Sequence, residues 1–153
     1  MIKLNQAVPD FSLPATGGAD FRLSAQRGHA LVLYFYPKDN TPGCTTEAGQ
    51  FRDQHAAFGK LGCKIYGISR DNLKSHESFK AKLELPFELL VDADETACTL
   101  FGAIKLKNMY GKQVRGIERS TFLIDDKGVL RHEWRAVKAD GHATEVLAAL
   151  QSL

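Results

Sequence analysis

Apolar positions along this chain change period several times, and the changes divide it into elements. Phe11 and Leu13, then Phe21 and Leu23, alternate on either side of Thr16-Gly17-Gly18, which predicts an opening β-hairpin. Ala30 to Tyr36 is a continuous apolar run, the pattern of a strand buried on both faces. From Thr41-Pro42 the spacing turns helical, with Ala48, Phe51, His55 and Phe58 on one face. Lys64 to Ser69 predicts a second buried strand, followed by a helix running to about Leu83. Phe87 to Val91 predicts a third, and Asp92 to Glu95 opens a short helix carrying Cys98, Leu100 and Phe101.

Beyond that point the order changes. Ile117 to Ile124 and Val129 to Trp134 read as two strands flanking Asp125-Asp126-Lys127-Gly128, a strong hairpin-turn signal. Asp140 to Leu150 closes the chain as an amphipathic helix carrying Val146, Leu147 and Leu150. Strand-helix-strand-helix followed by a hairpin and a helix predicts a three-layer α/β sandwich, its sheet parallel at first and antiparallel at one edge. With no repeat, linker or low-complexity segment, residues 1–153 read as one domain.

Composition fits that picture and removes several function classes. The chain is 44% hydrophobic and 25% charged, enough for a good-sized core. Its net charge of +2 comes from 20 basic and 18 acidic residues, scattered rather than clustered, so neither nucleic acid nor a membrane surface is expected as partner. The stretch from Met1 to Pro9 lacks the apolar run of a signal peptide, and no segment approaches the ~18 apolar residues of a membrane span. A cytoplasmic protein is expected. Three widely spaced cysteines, Cys44, Cys63 and Cys98, form neither a disulfide framework nor a zinc motif. The five histidines, His29, His55, His76, His132 and His142, are dispersed without metal-ligand spacing and read as surface or packing residues.

Cys44 carries the chemistry. It lies at the carboxyl end of the Ala30–Tyr36 strand, the edge of an open α/β sheet where functional groups collect. Thr41 is a good N-cap, Pro42 suits the first helical position, and Gly43 keeps the backbone open. Cys44 then falls at the third helical position, where N–H groups are unpaired and the helix dipole favours an anion. A thiol with an ordinary pKa near 8.5 is about 3% ionised at pH 7, and bringing it to about 6 takes roughly 3 kcal/mol. A helix end supplies about 0.3–2 kcal/mol, so a nearby cation is required as well. The bland alternative, an inert buried cysteine, fits Cys44 less well in this setting than it would elsewhere.

These residues resemble a known family. Pro37-x-x-x-Thr41-x-x-Cys44 is similar to the active-site motif of the peroxiredoxins, thiol peroxidases with a thioredoxin-like fold. Thr41-Pro42-Gly43-Cys44-Thr45-Thr46-Glu47 is closer to the peroxiredoxin Q subfamily, also called bacterioferritin comigratory protein. Asn108-Met109-Tyr110-Gly111-Lys112 and Ile117-Glu118-Arg119-Ser120-Thr121-Phe122-Leu123-Ile124 extend the resemblance over essentially the whole chain. It implies a thioredoxin-like α/β/α sandwich with a mixed central sheet and an N-terminal β-hairpin. It implies that Cys44 attacks hydrogen peroxide or an organic hydroperoxide and becomes a sulfenic acid. Thr41 would hydrogen-bond the peroxide, Arg119 would hold the thiolate and the departing oxygen, Pro37 would shield the sulfur, and Glu47 would orient the arginine. Backbone donors of the turn from Pro42 through Gly43 to Cys44 would complete the substrate site. No cofactor and no metal are implied, and the partners are a hydroperoxide and an external thiol reductant.

The chain departs from the subfamily in one respect. Its usual resolving cysteine lies five residues after the peroxidatic one, where this chain has Gly49, or in the next helix, where Phe79-Lys80-Ala81 stands. Cys63 precedes the second strand and is placed at the opposite sheet edge, on the order of 17 Å from Cys44, too far for a disulfide. Cys98, near the right edge, reads as a packing residue, without that argument excluding it. A one-cysteine cycle is therefore expected, with sulfenic acid reduced by thioredoxin, by glutathione with glutaredoxin, or by a small dithiol, and a monomer is the default. Two other readings use the same fold and sulfur: a peroxide sensor or holdase, and a thiol-disulfide oxidoreductase. The last is disfavoured because Thr41 occupies the first position of a would-be Cys-x-x-Cys.

Overall fold

A five-stranded sheet organises the molecule, and its order explains where the site lies. The computed structural model describes residues 2–153, and Met1, the first residue of the N-terminal stretch read above, lies outside them. The central strands are β3 (Ala30–Phe35), β4 (Cys63–Ser69), β5 (Glu88–Val91), β8 (Ser120–Ile124) and β9 (Leu130–Trp134), in the order β5-β4-β3-β8-β9. The β3–β4 and β4–β5 pairs are parallel; β3–β8 and β8–β9 are antiparallel. The N-terminal hairpin is β1 (Ser12–Pro14) with β2 (Asp20–Arg22), and Leu13 lies opposite Phe21. The three-layer sandwich expected from the pattern is the one formed, with the mixed thioredoxin-like sheet and N-terminal hairpin that the resemblance implied.

Strand alternation divides the core. Leu31, Leu33 and Phe35 face one side, with Phe122, the N-terminal hairpin and α4 (Thr96–Phe101). Val32, Tyr34 and Tyr36 face the other side, with Phe51 of α1 (Pro42–Asp53), Phe58 of α2 (His55–Lys60), Phe79 of α3 (Leu73–Leu83) and Val146 of α5 (His142–Gln151). These residues are buried because their period of two sends alternate side chains through opposite faces of the sheet. Tyr34 stacks on Phe51 with ring centroids 4.8 Å apart, locking α1 against β3. Gly67 allows this packing: a Cβ there would lie 2.8 Å from both Tyr34 and Leu89.

Three boundaries differ from the sequence reading. The continuous helical face from Ala48 to Phe58 is two helices, broken at Gln54, whose φ/ψ of −103°/5° leaves the α region. Ile117 to Ile124 is not one strand: β7 (Lys112–Ile117) ends and β8 begins at Ser120, leaving Glu118 and Arg119 between them. The N–H of Glu118 bonds Ala103 O, one last contact in the register of the β6–β7 pairing, and the Arg119 carbonyl accepts from Val137 N–H. Strand β7 itself pairs with β6 (Ile104–Met109) in a hairpin the apolar pattern did not reveal. Leu106 and Val114 in it are exposed, so no buried face imposes alternation on the sequence. Among the described residues, no helix is long and apolar enough to cross a membrane.

Candidate active site

Thr41, with extended backbone angles, is the N-cap residue of α1, Pro42 takes the first helical position, and Thr45 N–H closes the first turn on Thr41 O at 2.9 Å. Cys44 follows at the third position and is buried, 1% exposed. The Thr41 side chain, however, does not cap: its hydroxyl donates to Lys38 O at 2.8 Å, so its single proton is spent in the loop before the helix. Gly43 and Cys44 fall in the first turn of α1, where helix geometry leaves N–H groups outside the intrahelical ladder.

Arg119 supplies the cation that the helix end lacks. Its Nη2 lies 3.4 Å from Cys44 Sγ, and its Nη1 donates to Glu47 Oε1 at 2.7 Å. The interruption between β7 and β8 gives Arg119 this aim, because the residue stands free of both ladders. Gly43 makes room: a Cβ there would sit 3.0 Å from Arg119 Nη2. Burial works against the Arg119 charge, yet Glu47, followed by Cys44, holds it above the ordinary arginine value. For Glu47 the balance is reversed. Burial pushes its carboxyl up to about 7 even though Arg119 pulls the other way, and among the described residues Oε2 has no hydrogen-bond partner. Pro37 is half-buried at the head of the same loop. The structure thus brings Cys44, Arg119 and Glu47 into direct contact and sets Thr41 and Pro37 on the adjoining turn.

The other two sulfurs are elsewhere. Cys63 pairs with Ala30 at the start of β3, the far end of the strand from Cys44, and burial pushes its thiol up to about 12. Cys98 packs in the core on the opposite face of the sheet from Cys44, and burial, with Asp92 reinforcing it, pushes its thiol higher still. Gly49 leaves space on α1, and Lys80 on α3 pairs with Glu88, which also accepts from Thr16 Oγ1 at 3.2 Å.

Two histidines are buried, His142 as the packing residue expected and His76 in a polar cluster that was not. His142 is buried, with Nε2 2.8 Å from Thr121 Oγ1, and packs edge-on against Phe51 and Trp134. His76 is wholly buried beside Asp39 and Asp71, whose ligand atoms and its own lie within 4.8 Å of one another. The three come from separate elements, so no local spacing could disclose the cluster; the one available signal was an acid inside the loop Pro37–Thr41.

Comparison with known proteins agrees with this geometry. The AhpC/TSA family profile matches residues 4–133. Peroxiredoxin Bcp of Xanthomonas campestris pv. campestris is 52% identical over 152 residues, covering 99% of this chain and 95% of that protein. Peroxiredoxin Bcp of Bacillus subtilis is 48% identical, covering 99% and 97%. A solved structure of Xanthomonas campestris peroxiredoxin Q superposes with a TM-score of 0.92, covering 99% of this chain and 96% of that one. Two cysteine-to-serine variants of that relative are solved at positions 36 residues apart, the separation of Cys44 from Lys80 here. A profile match across most of the chain and near-complete alignment at about half identity lead to one conclusion: the chain belongs to the AhpC/TSA family, as a peroxiredoxin of the Bcp or Q type, a thiol peroxidase.

Proposed function

We propose that residues 1–153 act as one domain that reduces hydrogen peroxide and organic hydroperoxides in a one-cysteine cycle centred on Cys44. The observation that carries this reading is the Arg119 guanidinium, one nitrogen against Cys44 Sγ and another against Glu47. A thiolate at Cys44 attacks one peroxide oxygen, the O–O bond breaks, and the departing oxygen leaves with the bonding pair and takes up a proton. The Gly43 and Cys44 N–H groups and Arg119 are the donors for that developing charge, while Thr41 Oγ1, its proton held by Lys38 O, accepts from the O–H of the incoming hydroperoxide. Glu47 holds Arg119 in place, and Pro37 screens the sulfur from bulk water. Alkyl peroxide reduction has been studied in the Xanthomonas campestris relative, which supports the organic substrates.

The Cys44 sulfenic acid then reacts with an external thiol, releasing water and leaving a mixed disulfide. A second thiol reduces that disulfide and regenerates Cys44. Thioredoxin, glutathione with glutaredoxin, and a small dithiol are the candidate reductants, and the working unit is a monomer. Support comes from the sulfurs: Cys63 lies at the far end of the sheet, Cys98 across it, and Lys80 lies 36 residues after Cys44, the spacing of the two cysteines replaced in the relative. Intact-mass measurement after one equivalent of peroxide tests the cycle. A gain of one oxygen on Cys44 is expected; a loss of two hydrogens within one chain would refute it. Loss of peroxide consumption in Cys44→Ser tests the nucleophile.

A further inference from the structure

Between β3 and α1, one acid is buried and held on every side. Asp39 Oδ1 accepts from the Tyr36 hydroxyl at 2.6 Å. Its Oδ2 accepts from Ser75 Oγ at 2.8 Å and lies 2.7 Å from His76 Nδ1. The Asp39 N–H donates to Asp71 Oδ2 at 2.9 Å, and Ser69 Oγ holds that same oxygen at 2.5 Å. His76 Nε2 lies 2.8 Å from Leu90 O, which can only accept, so this nitrogen bears a hydrogen and the ring links the loop to β5. The Asp39 and His76 side chains are 1% and 0% exposed. Burial works against the Asp39 charge, but hydrogen bonds from His76 and Tyr36 hold its carboxyl below the usual value.

Buried ionic groups of this kind seldom add stability over an apolar replacement, so the network calls for another reason to exist. Its partners supply one. Tyr36 follows β3, Ser69 ends β4, Leu90 lies in β5, and Ser75 and His76 lie in the first turn of α3. Together they fasten the middle of the loop Pro37–Thr41 to the carboxyl edge of the sheet. On one side of Asp39 is Lys38, whose carbonyl accepts the Thr41 hydroxyl. On the other is Asn40, in the left-handed region at φ 65°, a conformation that needs surrounding support. The orientation of the Thr41 hydroxyl is therefore set by a carbonyl whose neighbouring residue is clamped.

We propose that Asp39 is a positioning residue for the peroxidase reaction, its clamped carboxylate setting the Lys38 carbonyl and through it the Thr41 hydroxyl on the turn that leads into Cys44. This rests on the reading of Thr41 and Cys44 given above. The test is the second-order rate constant for oxidation of the reduced full-length protein by hydrogen peroxide. Asp39→Ala should lose tenfold or more. Asp39→Asn should stay within threefold of the parent, because its amide oxygen can accept from Tyr36 and its NH2 can donate to Nδ1 of a neutral His76 whose one hydrogen stays on Nε2 toward Leu90 O. On a Thr41→Val background, Asp39→Ala should cost less than threefold further, since the two act through one hydroxyl. Alkylation of Cys44 by iodoacetamide, which does not use that hydroxyl, should stay within twofold.

Wild-type oxidation by Asp39→Ala, full multiplicativity with Thr41→Val, or a parallel fall in alkylation would each overturn the proposal. If Asp39→Ala melts below the assay temperature, His76→Gln carries the same double-variant comparison with the same expected non-additivity. A fast Thr41→Val protein would remove the underlying site reading and Asp39 with it. A slow Thr41→Val protein with a fast Asp39→Ala protein would remove only the inference.

Discussion

Arg119 reaches Cys44 and Glu47 with two nitrogens of a single guanidinium, at 3.4 Å and 2.7 Å, across 75 and 72 residues of chain. A planar fork can serve both at once; a lysine ammonium on a flexible stem cannot. Arg119→Lys is therefore expected to lower the rate constant for peroxide reduction about 100-fold, the typical loss of one preorganised donor to a developing oxyanion. Stopped-flow oxidation of the reduced protein measures it, and a loss below threefold would remove the arginine from the mechanism.

Gly43 is tied to the same contact. A methyl group 3.0 Å from Arg119 Nη2 must displace the guanidinium or the turn. Gly43→Ala should slow oxidation several-fold while leaving the melting temperature within a few degrees, as expected for a change confined to the first turn of α1.

Glu47 makes stability depend on pH in an unusual direction. Its carboxyl rises from an ordinary 4.5 to about 7 on folding, because burial outweighs the pull of Arg119. Between those values the folded protein keeps a proton that the unfolded chain has released, so this group's contribution to stability falls as pH rises through the window. The full effect is about 3 kcal/mol above pH 7. Glu47→Gln, which carries no charge, should match the wild type in melting temperature near pH 4.5 and exceed it at pH 8. A lower melting temperature at pH 8 would mean that the ion pair outweighs its burial cost.

Lys80 offers a gain-of-function test. Lys80→Cys puts a sulfur at the spacing found in the Xanthomonas campestris relative. After one equivalent of peroxide, the intact mass of this variant should show loss of two hydrogens where the parent gains an oxygen. Removing the half-exposed pair with Glu88 should cost under about 1 kcal/mol. Cys63→Ser and Cys98→Ser, by contrast, should leave turnover close to the parent in a coupled assay.

Much of the sheet was legible because burial on both faces writes long apolar runs: Ala30 to Tyr36 and Lys64 to Ser69 are visible for that reason. The β6–β7 hairpin was not, because solvent on its faces leaves Lys105, Leu106, Lys107 and Val114 free of any pattern. The Thr41–Cys44 turn was readable from local cap and helix-start chemistry. Arg119 was placed by resemblance, and its aim depends on a break after Ile117 that the reading of Ile117 to Ile124 as one strand passed over. The Asp39–His76 contact lay beyond reach, since a single loop acid and a helix histidine 37 residues apart share no local signal.

The central sheet lies between Cys44 and Cys98, and its full length separates Cys44 from Cys63. A thiol carried in the same chain can act at an effective concentration of millimolar or more. Without one, each oxidised molecule waits on a bimolecular encounter, and the lifetime of its sulfenic acid scales inversely with the reductant around it. On the one-cysteine reading, exposure of Cys44 to a second peroxide, and so to irreversible oxidation, is governed by the supply of thiol rather than by the protein.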